Sequence, residues 1–360
     1  MSVLPIQLCL PGIEITDVLV RPGGQWVSGV VSDGASAVLR MWAVDGSAMV
    51  DLFSDSPSRG RGLSGGVHVW SDDGDVVYVT TEARGIVEIT LRNDAAVQER
   101  SLAFDVSRSW STPAIDYMNL RVFAIADWKE LWGCDIADGD PYVVHGDSDF
   151  AIDAIAGVDG SCIVWNRPDM AWTQSASYPE RVADGIAVQQ ARFSRNKECF
   201  GFIDDSTGVA NVHILGDQIV DPNISIIDHC EHGGPTWGPG QRTWCFNTDG
   251  TRVAYTRNED GFSSLWVYDR ATTSRHRIGQ GVHGCVSWEN ETIGAIRTGA
   301  RTPPQVVTYN VTNLLQPERT IARTVADPRW KQDEFDDELV EAMVHRAPAA
   351  DVSVPYRLYR

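Results

Sequence analysis

The densest group of side chains able to do chemistry is Asp228-His229-Cys230-Glu231-His232. Imidazoles, a thiolate and carboxylates are the donors a zinc ion takes, and two histidines three apart could share one. On an extended strand, however, side chains alternate between faces, so His229 and Glu231 point one way while Cys230 and His232 point the other. Part of the group at most can meet one ion. His229 and His232 are weak metal candidates, and the expectation is a turn at a sheet edge with no metal or other cofactor.

A second pattern is Gly62-Leu63-Ser64-Gly65-Gly66, which satisfies the Gly-x-Ser-x-Gly nucleophile signature. That signature activates serine only where an apolar strand runs into a sharp turn and a helix follows, because the backbone amides there build the oxyanion hole. Here the polar FSDSPSRGR precedes it and the strand-like VHVW follows. The glycines therefore read as a crossing between sheets, and no catalytic triad is found. Walker-type, dinucleotide-binding and calcium-binding loops are also lacking.

The elements that must position any site repeat along the chain. Glycine or asparagine turns followed by a strand fall at Gly24, Gly74, Asn119, Gly160, Asn196, Gly250 and Asn290, with spacings of 50, 45, 41, 36, 54 and 40 residues. A period of roughly 40–50 residues carrying several short strands is the signature of propeller blades. Two stacked β-sandwiches would not give so regular a spacing. The best-written unit is Asn247–Asp269, where Asp249-Gly250 and Asp260-Gly261 supply turns around strands carrying Val253, Tyr255, Leu265 and Val267. The expected architecture is all-β, a seven-bladed β-propeller over 14–325. A linker follows over 326–360, with one amphipathic helix expected around Asp333–Val344.

Composition excludes several classes. Thirty lysines and arginines against 49 acids leave a net charge of −19, which opposes nucleic acid and anionic membranes as partners. No apolar run approaches the ~20 residues of a membrane helix. The seven cysteines are isolated and odd in number, so neither a disulfide framework nor a zinc ribbon is indicated, and a cytoplasmic location is expected. The 13 tryptophans read mainly as packing between blades. The sharper reading makes Trp70, Trp165, Trp172 and Trp237, with His68, Glu231 and His232, candidates for a substrate channel.

Four strings carry a family likeness. WNRPDMAW (165–172), FIDDSTGVANVHIL (202–215), EHGGPTWGPG (231–240) and RGLSGGVHVWSDDGDVVYVT (61–80) resemble, in order and spacing, propeller segments of the acylaminoacyl-peptidase-like branch of the prolyl-oligopeptidase family. Ala171 and Thr173 depart from the first motif. The resemblance implies a propeller that caps an α/β-hydrolase domain or subunit bearing a serine–aspartate–histidine triad. It would admit short peptides or acylated amino acids and exclude folded proteins. ADVSVPYRLYR (350–360) looks like the linker and first strand of that hydrolase. Two alternatives stand beside this one: a free-standing propeller binding a peptide or small molecule in its channel, and a propeller with its own enzyme activity.

Overall fold

The computed structural model describes residues 12–326 and 340–358, except 54, 59–65, 118, 138, 147–150, 157–161, 167–169, 175–178, 185–188, 197–198, 216–222, 235–239 and 350–351. The chain is an all-β propeller. Among the described residues its strands form seven four-stranded sheets in chain order, spanning 14–53, 68–101, 110–145, 151–184, 189–226, 244–280 and 282–324. Every neighbouring pair of strands within a sheet is antiparallel, so each sheet is a meander. We number them sheets 1 to 7. Among the described residues there is no helix.

Each sheet packs face to face on the next, and the core is therefore divided into slabs. Leu39, Met41 and Phe53 of sheet 1 meet Val77, Val79 and Ile89 of sheet 2. Trp110 and Val122 of sheet 3 meet Tyr78 and Ile86, and Leu265 and Val267 of sheet 6 meet Trp288 and Ile293 of sheet 7. A sheet buried on both faces needs apolar side chains at successive positions, which explains why Trp110–Asp116 is buried at all seven residues.

The ring closes between sheets 7 and 1 without a shared strand. Ile15, Val18, Val27 and Trp42 pack on Cys285, Val306 and Val325. Three hydrogen bonds cross the seam: Val20 N to Ser287 Oγ (2.8 Å), Thr292 Oγ1 to Gly24 O (3.1 Å) and Thr308 Oγ1 to Val44 O (2.7 Å). Gly294 permits the close approach, since a Cβ there would lie 2.7 Å from Val20 Cγ2.

In Asn247–Asp269, strands Arg252–Glu259 and Phe262–Asp269 pair around Asp260 and Gly261, whose φ angles are 51° and 82°. These positive values are what a two-residue hairpin turn with right-handed twist demands. Val253, Tyr255, Leu265 and Val267 are fully buried. The hairpin is the middle pair of its sheet, because Trp244–Phe246 lies inside it.

The expected helix at 333–344 is only partly testable. Residues 333–339 lie outside the described set, and the remainder is not helical: Met343 begins strand Met343–Ala349. That strand pairs with Val352–Leu358 as a separate hairpin. Its alternating Val-x-Arg and Val-x-Tyr-x-Leu patterns suit a strand of period two better than a helix. It rests on sheet 6, with Arg346 gripping the Asp260 carboxylate and the Arg357 guanidinium 5.1 Å over the Phe262 ring.

Candidate functional site: the propeller axis

The first strand of each sheet touches the first strands of its neighbours, so these seven strands surround the axis. Five of them share a device. Asp17, Thr112, Asp153, Gln190 and Cys285 have φ between 49° and 57°, and each sits where the register with the second strand shifts. A bulge of this kind bends the inner strand and re-aims one side chain. For Thr112, a β-branched residue, the left-handed region is costly and persists only where the surroundings enforce it.

Asp17 is the hub. Its Oδ2 accepts from Val67 N (2.7 Å), His68 N (3.2 Å) and His68 Nδ1 (2.7 Å), and its Oδ1 accepts from Arg242 NH1 (3.1 Å). Burial alone would raise the carboxyl pKa, but His68 and Arg242 outweigh it and hold it well below the ordinary range. The ring then follows from donor logic. With Nδ1–H given to the carboxylate, His68 Nε2 accepts from Ser28 Oγ at 2.8 Å, and Trp70 Nε1 donates to the same oxygen at 2.9 Å. The hub therefore ties sheets 1, 2 and 6 together. Gly240, with φ of 64°, lies against Asp17 so closely that a Cβ would strike its carboxylate.

Asp17, His68 and Ser28 have the connectivity of a hydrolytic relay, but the arrangement is sealed. Ser28 is fully buried and His68 is 2 % exposed, and the indole N–H occupies the oxygen that would attack. A nucleophile needs reach to a substrate carbonyl and to oxyanion donors. This relay has neither and acts as a strut. His68 and Trp70 thus sit inside the wall between blades.

The two ends of the axis differ. At the end where the first strands begin, a cavity of about 450 Å³ opens between Ile15, Thr16, Arg242, Thr243, His283 and Cys285. Ile13 and Val325, where the chain joins and leaves the ring, line it too. Its size lies within the ~300–1,000 Å³ of small-ligand sites. At the other end, Arg195 from sheet 5 reaches Glu289 of sheet 7 and the Asp72 carbonyl of sheet 2. Those sheets are not neighbours, so this arginine spans the axis. Tyr117 OH of sheet 3 donates to Trp70 O nearby (2.6 Å). Burial raises the Glu289 carboxyl to about 7 despite the guanidinium beside it.

The 228–232 segment splits as strand alternation requires. His229 and Glu231 are exposed, while Asp228, Cys230 and His232 converge within 4.8 Å. Their donors are already taken. Val212 N–H donates to His232 Nδ1 (3.3 Å), so Nε2 carries the proton and gives it to Asp228 Oδ2 (2.9 Å). Arg275 and Arg257 pair with Asp228 at 2.5 and 3.2 Å, and Arg257 also reaches Cys230 Sγ. Two guanidinium charges on the carboxylate oppose a divalent cation, and the cluster fastens sheet 5 to sheet 6. The Glu231 carboxylate accepts from Ala210 N (2.9 Å).

Of the other channel candidates, Trp165 and Trp172 lie in strands Cys162–Asn166 and Met170–Gln174 of sheet 4. Trp237 and Ser64 fall outside the described residues. Strand His68–Trp70 follows the Gly-rich stretch, where a nucleophile elbow would need a helix. Sequence reasoning missed Asp17, Ser28, Arg195, Arg242 and Glu289, which organise the axis. The signal available for three of them was position: Arg195 and Glu289 each adjoin a repeat-marking turn, at Asn196 and Asn290, and Arg242 follows the glycine-rich 231–240 segment.

No protein-family model matches the sequence, and no curated protein matches it. The fold, by contrast, is widely shared. The chain is similar to a Mycobacterium tuberculosis puromycin-hydrolyzing peptidase (14 % identity, TM-score 0.77, covering 100 % of this chain and 59 % of that one). A puromycin hydrolase aligns at 15 % identity and TM-score 0.73, over 99 % of this chain and 60 % of its own. The acylaminoacyl peptidase of Pyrococcus horikoshii aligns at 13 % and 0.64, over 96 % and 57 %. The chain therefore spans less than two thirds of the length of these proteins. Among the described residues no helix is long and apolar enough to cross a membrane.

Proposed function

We propose that this chain is the substrate-gating propeller of a prolyl-oligopeptidase-type serine hydrolase acting on short peptides or acylated amino acids. The observation that carries the reading is coverage: nearly all of this chain aligns with 57–60 % of two peptidases and a puromycin hydrolase. On this reading the seven sheets are seven blades over 14–325, and 326–360 is the passage to an α/β-hydrolase domain or subunit. That partner supplies the nucleophile, and the Ser28–His68–Asp17 relay stays sealed inside the ring. It stands over the open mouth, beside Ile13 and Val325, and substrate reaches it through the cavity there. Unpaired Cys134, Cys199, Cys230, Cys245 and Cys285 suit a reducing, cytoplasmic setting.

The test is purification of the protein from its native cells through an affinity tag, followed by a fluorophosphonate probe. A labelled serine on the same polypeptide or on a co-purifying hydrolase is the expected result. A monodisperse ring that purifies alone and takes no label overturns the proposal and leaves a free-standing binding propeller.

A further inference from the structure

Two arginines line a groove between sheets 6 and 7, and a third, Arg297, bonds the backbone of its wall at Gln280. Arg277 is on the outermost strand of sheet 6, Arg275–Gln280, and Arg297 is on Thr292–Gly299 of sheet 7. Arg319 is on the outermost strand of sheet 7, Glu318–Thr324. Arg277 and Arg319 are exposed and line a cavity of about 390 Å³ with Gly279, Gln280 and Tyr309. Behind them, Arg297 donates to Gln280 O (2.8 Å) and to Gln305 Oε1 (3.3 Å).

The charge in this groove is uncompensated. Among the described residues none of the three arginines has a carboxylate partner, although the chain carries a net charge of −19. Elsewhere arginines pair readily: Arg40 with Asp51, Arg84 with Glu99, Arg100 with Glu88, Arg121 with Asp116. Burial and the Arg319 charge together push the Arg297 pKa down.

The floor of the groove is held by neutral groups. His283 Nδ1–H donates to Gly281 O (2.8 Å), which leaves Nε2 to accept the Tyr309 hydroxyl proton at 2.8 Å. The Tyr309 oxygen then turns its lone pairs to Arg319. Burial, with Arg297 and Arg319 adding to it, pushes His283 down to about 4, so it brings no charge near neutrality. Gly279 keeps the space open, because a Cβ there would strike the Tyr309 hydroxyl.

We propose that this groove is a binding site for a small oxyanion, a phosphate or the phosphate group of an ester, gripped by Arg277 and Arg319 in front of Arg297. Guanidinium forks match phosphate oxygens in geometry, and a dianion offsets two of the three charges. The site is independent of the peptidase reading, since neither Arg277 nor Arg319 lines the axial cavity.

Calorimetric titration of the full chain with inorganic phosphate and with pyrophosphate, at constant ionic strength, tests it. One saturable site is expected, and a repeat titration at higher ionic strength should bind more weakly. Arg277→Gln, which removes an exposed side chain with no described hydrogen bond, should weaken binding about tenfold, with the unliganded melting temperature unchanged. The Arg277→Gln/Arg319→Gln double variant should abolish it. Absence of saturable binding, or wild-type affinity in Arg277→Gln, overturns the proposal.

Discussion

Replacing Asp17 by asparagine should destabilise the ring sharply without changing side-chain volume. The wild-type carboxylate takes four hydrogen bonds, one from the buried Arg242 guanidinium, one from Val67 N–H and two from His68. An asparagine offers one acceptor oxygen and turns an N–H₂ group toward donors. Arg242 then becomes an unpaired cation inside the wall, a change that costs about 3–5 kcal/mol. With 360 residues the unfolding entropy is roughly 0.75 kcal/mol/K, so about 4 kcal/mol corresponds to about 5 °C of melting temperature. The charge also predicts a pH dependence. The folded pKa of Asp17 lies below its ordinary 3.8, so its stabilisation is present above that value and is lost as pH falls through the folded value. Differential scanning calorimetry of the wild type, Asp17→Asn, Arg242→Met and the double variant reads both effects. The double variant should lose much less than the sum of the singles, because it leaves no unpaired charge. Additive losses, or an Asp17→Asn protein within about 1 kcal/mol of wild type, would refute the hub.

Ser28→Ala should cost about 1–3 kcal/mol, since it strands the Trp70 N–H and His68 Nε2 in the wall; fluorophosphonate labelling of the purified assembly should not change, and a loss of label would mean the relay is catalytic. Glu289 binds its proton more tightly folded than unfolded, with a folded value of about 7 against 4.5. Wild-type stability should therefore fall as pH rises from about 4.5 to 7, by up to about 3 kcal/mol. Urea midpoints of Glu289→Gln should lack that slope, and parallel profiles for the two proteins would overturn the assignment. Zinc titration should leave the melting temperature unmoved, because Arg257 and Arg275 already neutralise Asp228; a saturable rise that His232→Ala abolishes would show that the arginines yield to a metal.

How much of this was legible varies with position in the blade. The second and third strands are long, pair around glycine or asparagine turns and alternate cleanly, so Arg252–Glu259 and Phe262–Asp269 are visible from residue types alone. Six of the seven repeat markers fall at the described turns between first and second strands. The first strands were not visible, for a physical reason. His68–Trp70 and Trp244–Phe246 have three residues each, and the longer ones are broken by bulges that shift the period-two pattern. Asp17, Gln190 and Arg242 therefore look like ordinary surface polars in the sequence and become the polar centre only when the ring brings sheets together. The same holds for Arg195 and Glu289, which are 94 residues apart. Segment 228–232 shows the converse: alternation correctly divided its side chains, but the arginines that occupy Asp228 come from the next sheet.

The asymmetry of the axis bears on how such a ring could select by size. A tube open at both ends would let a ligand diffuse through, whereas Arg195 crosses the far end between three sheets and the Asp17–Arg242 pair joins two sheets beside the near cavity. Both bridges use a charged group removed from water, so withdrawing one partner costs far more than an exposed ion pair would. The near end holds Arg242 of that second bridge. Its cavity is walled by Ile13, Ile15, Ile296, Pro304 and Val325 with threonines between them, a surface suited to short apolar side chains with a few backbone groups to bond. On the gating reading proposed above, the rim of this cavity lies at Ile13 and Val325, where the chain joins and leaves the ring.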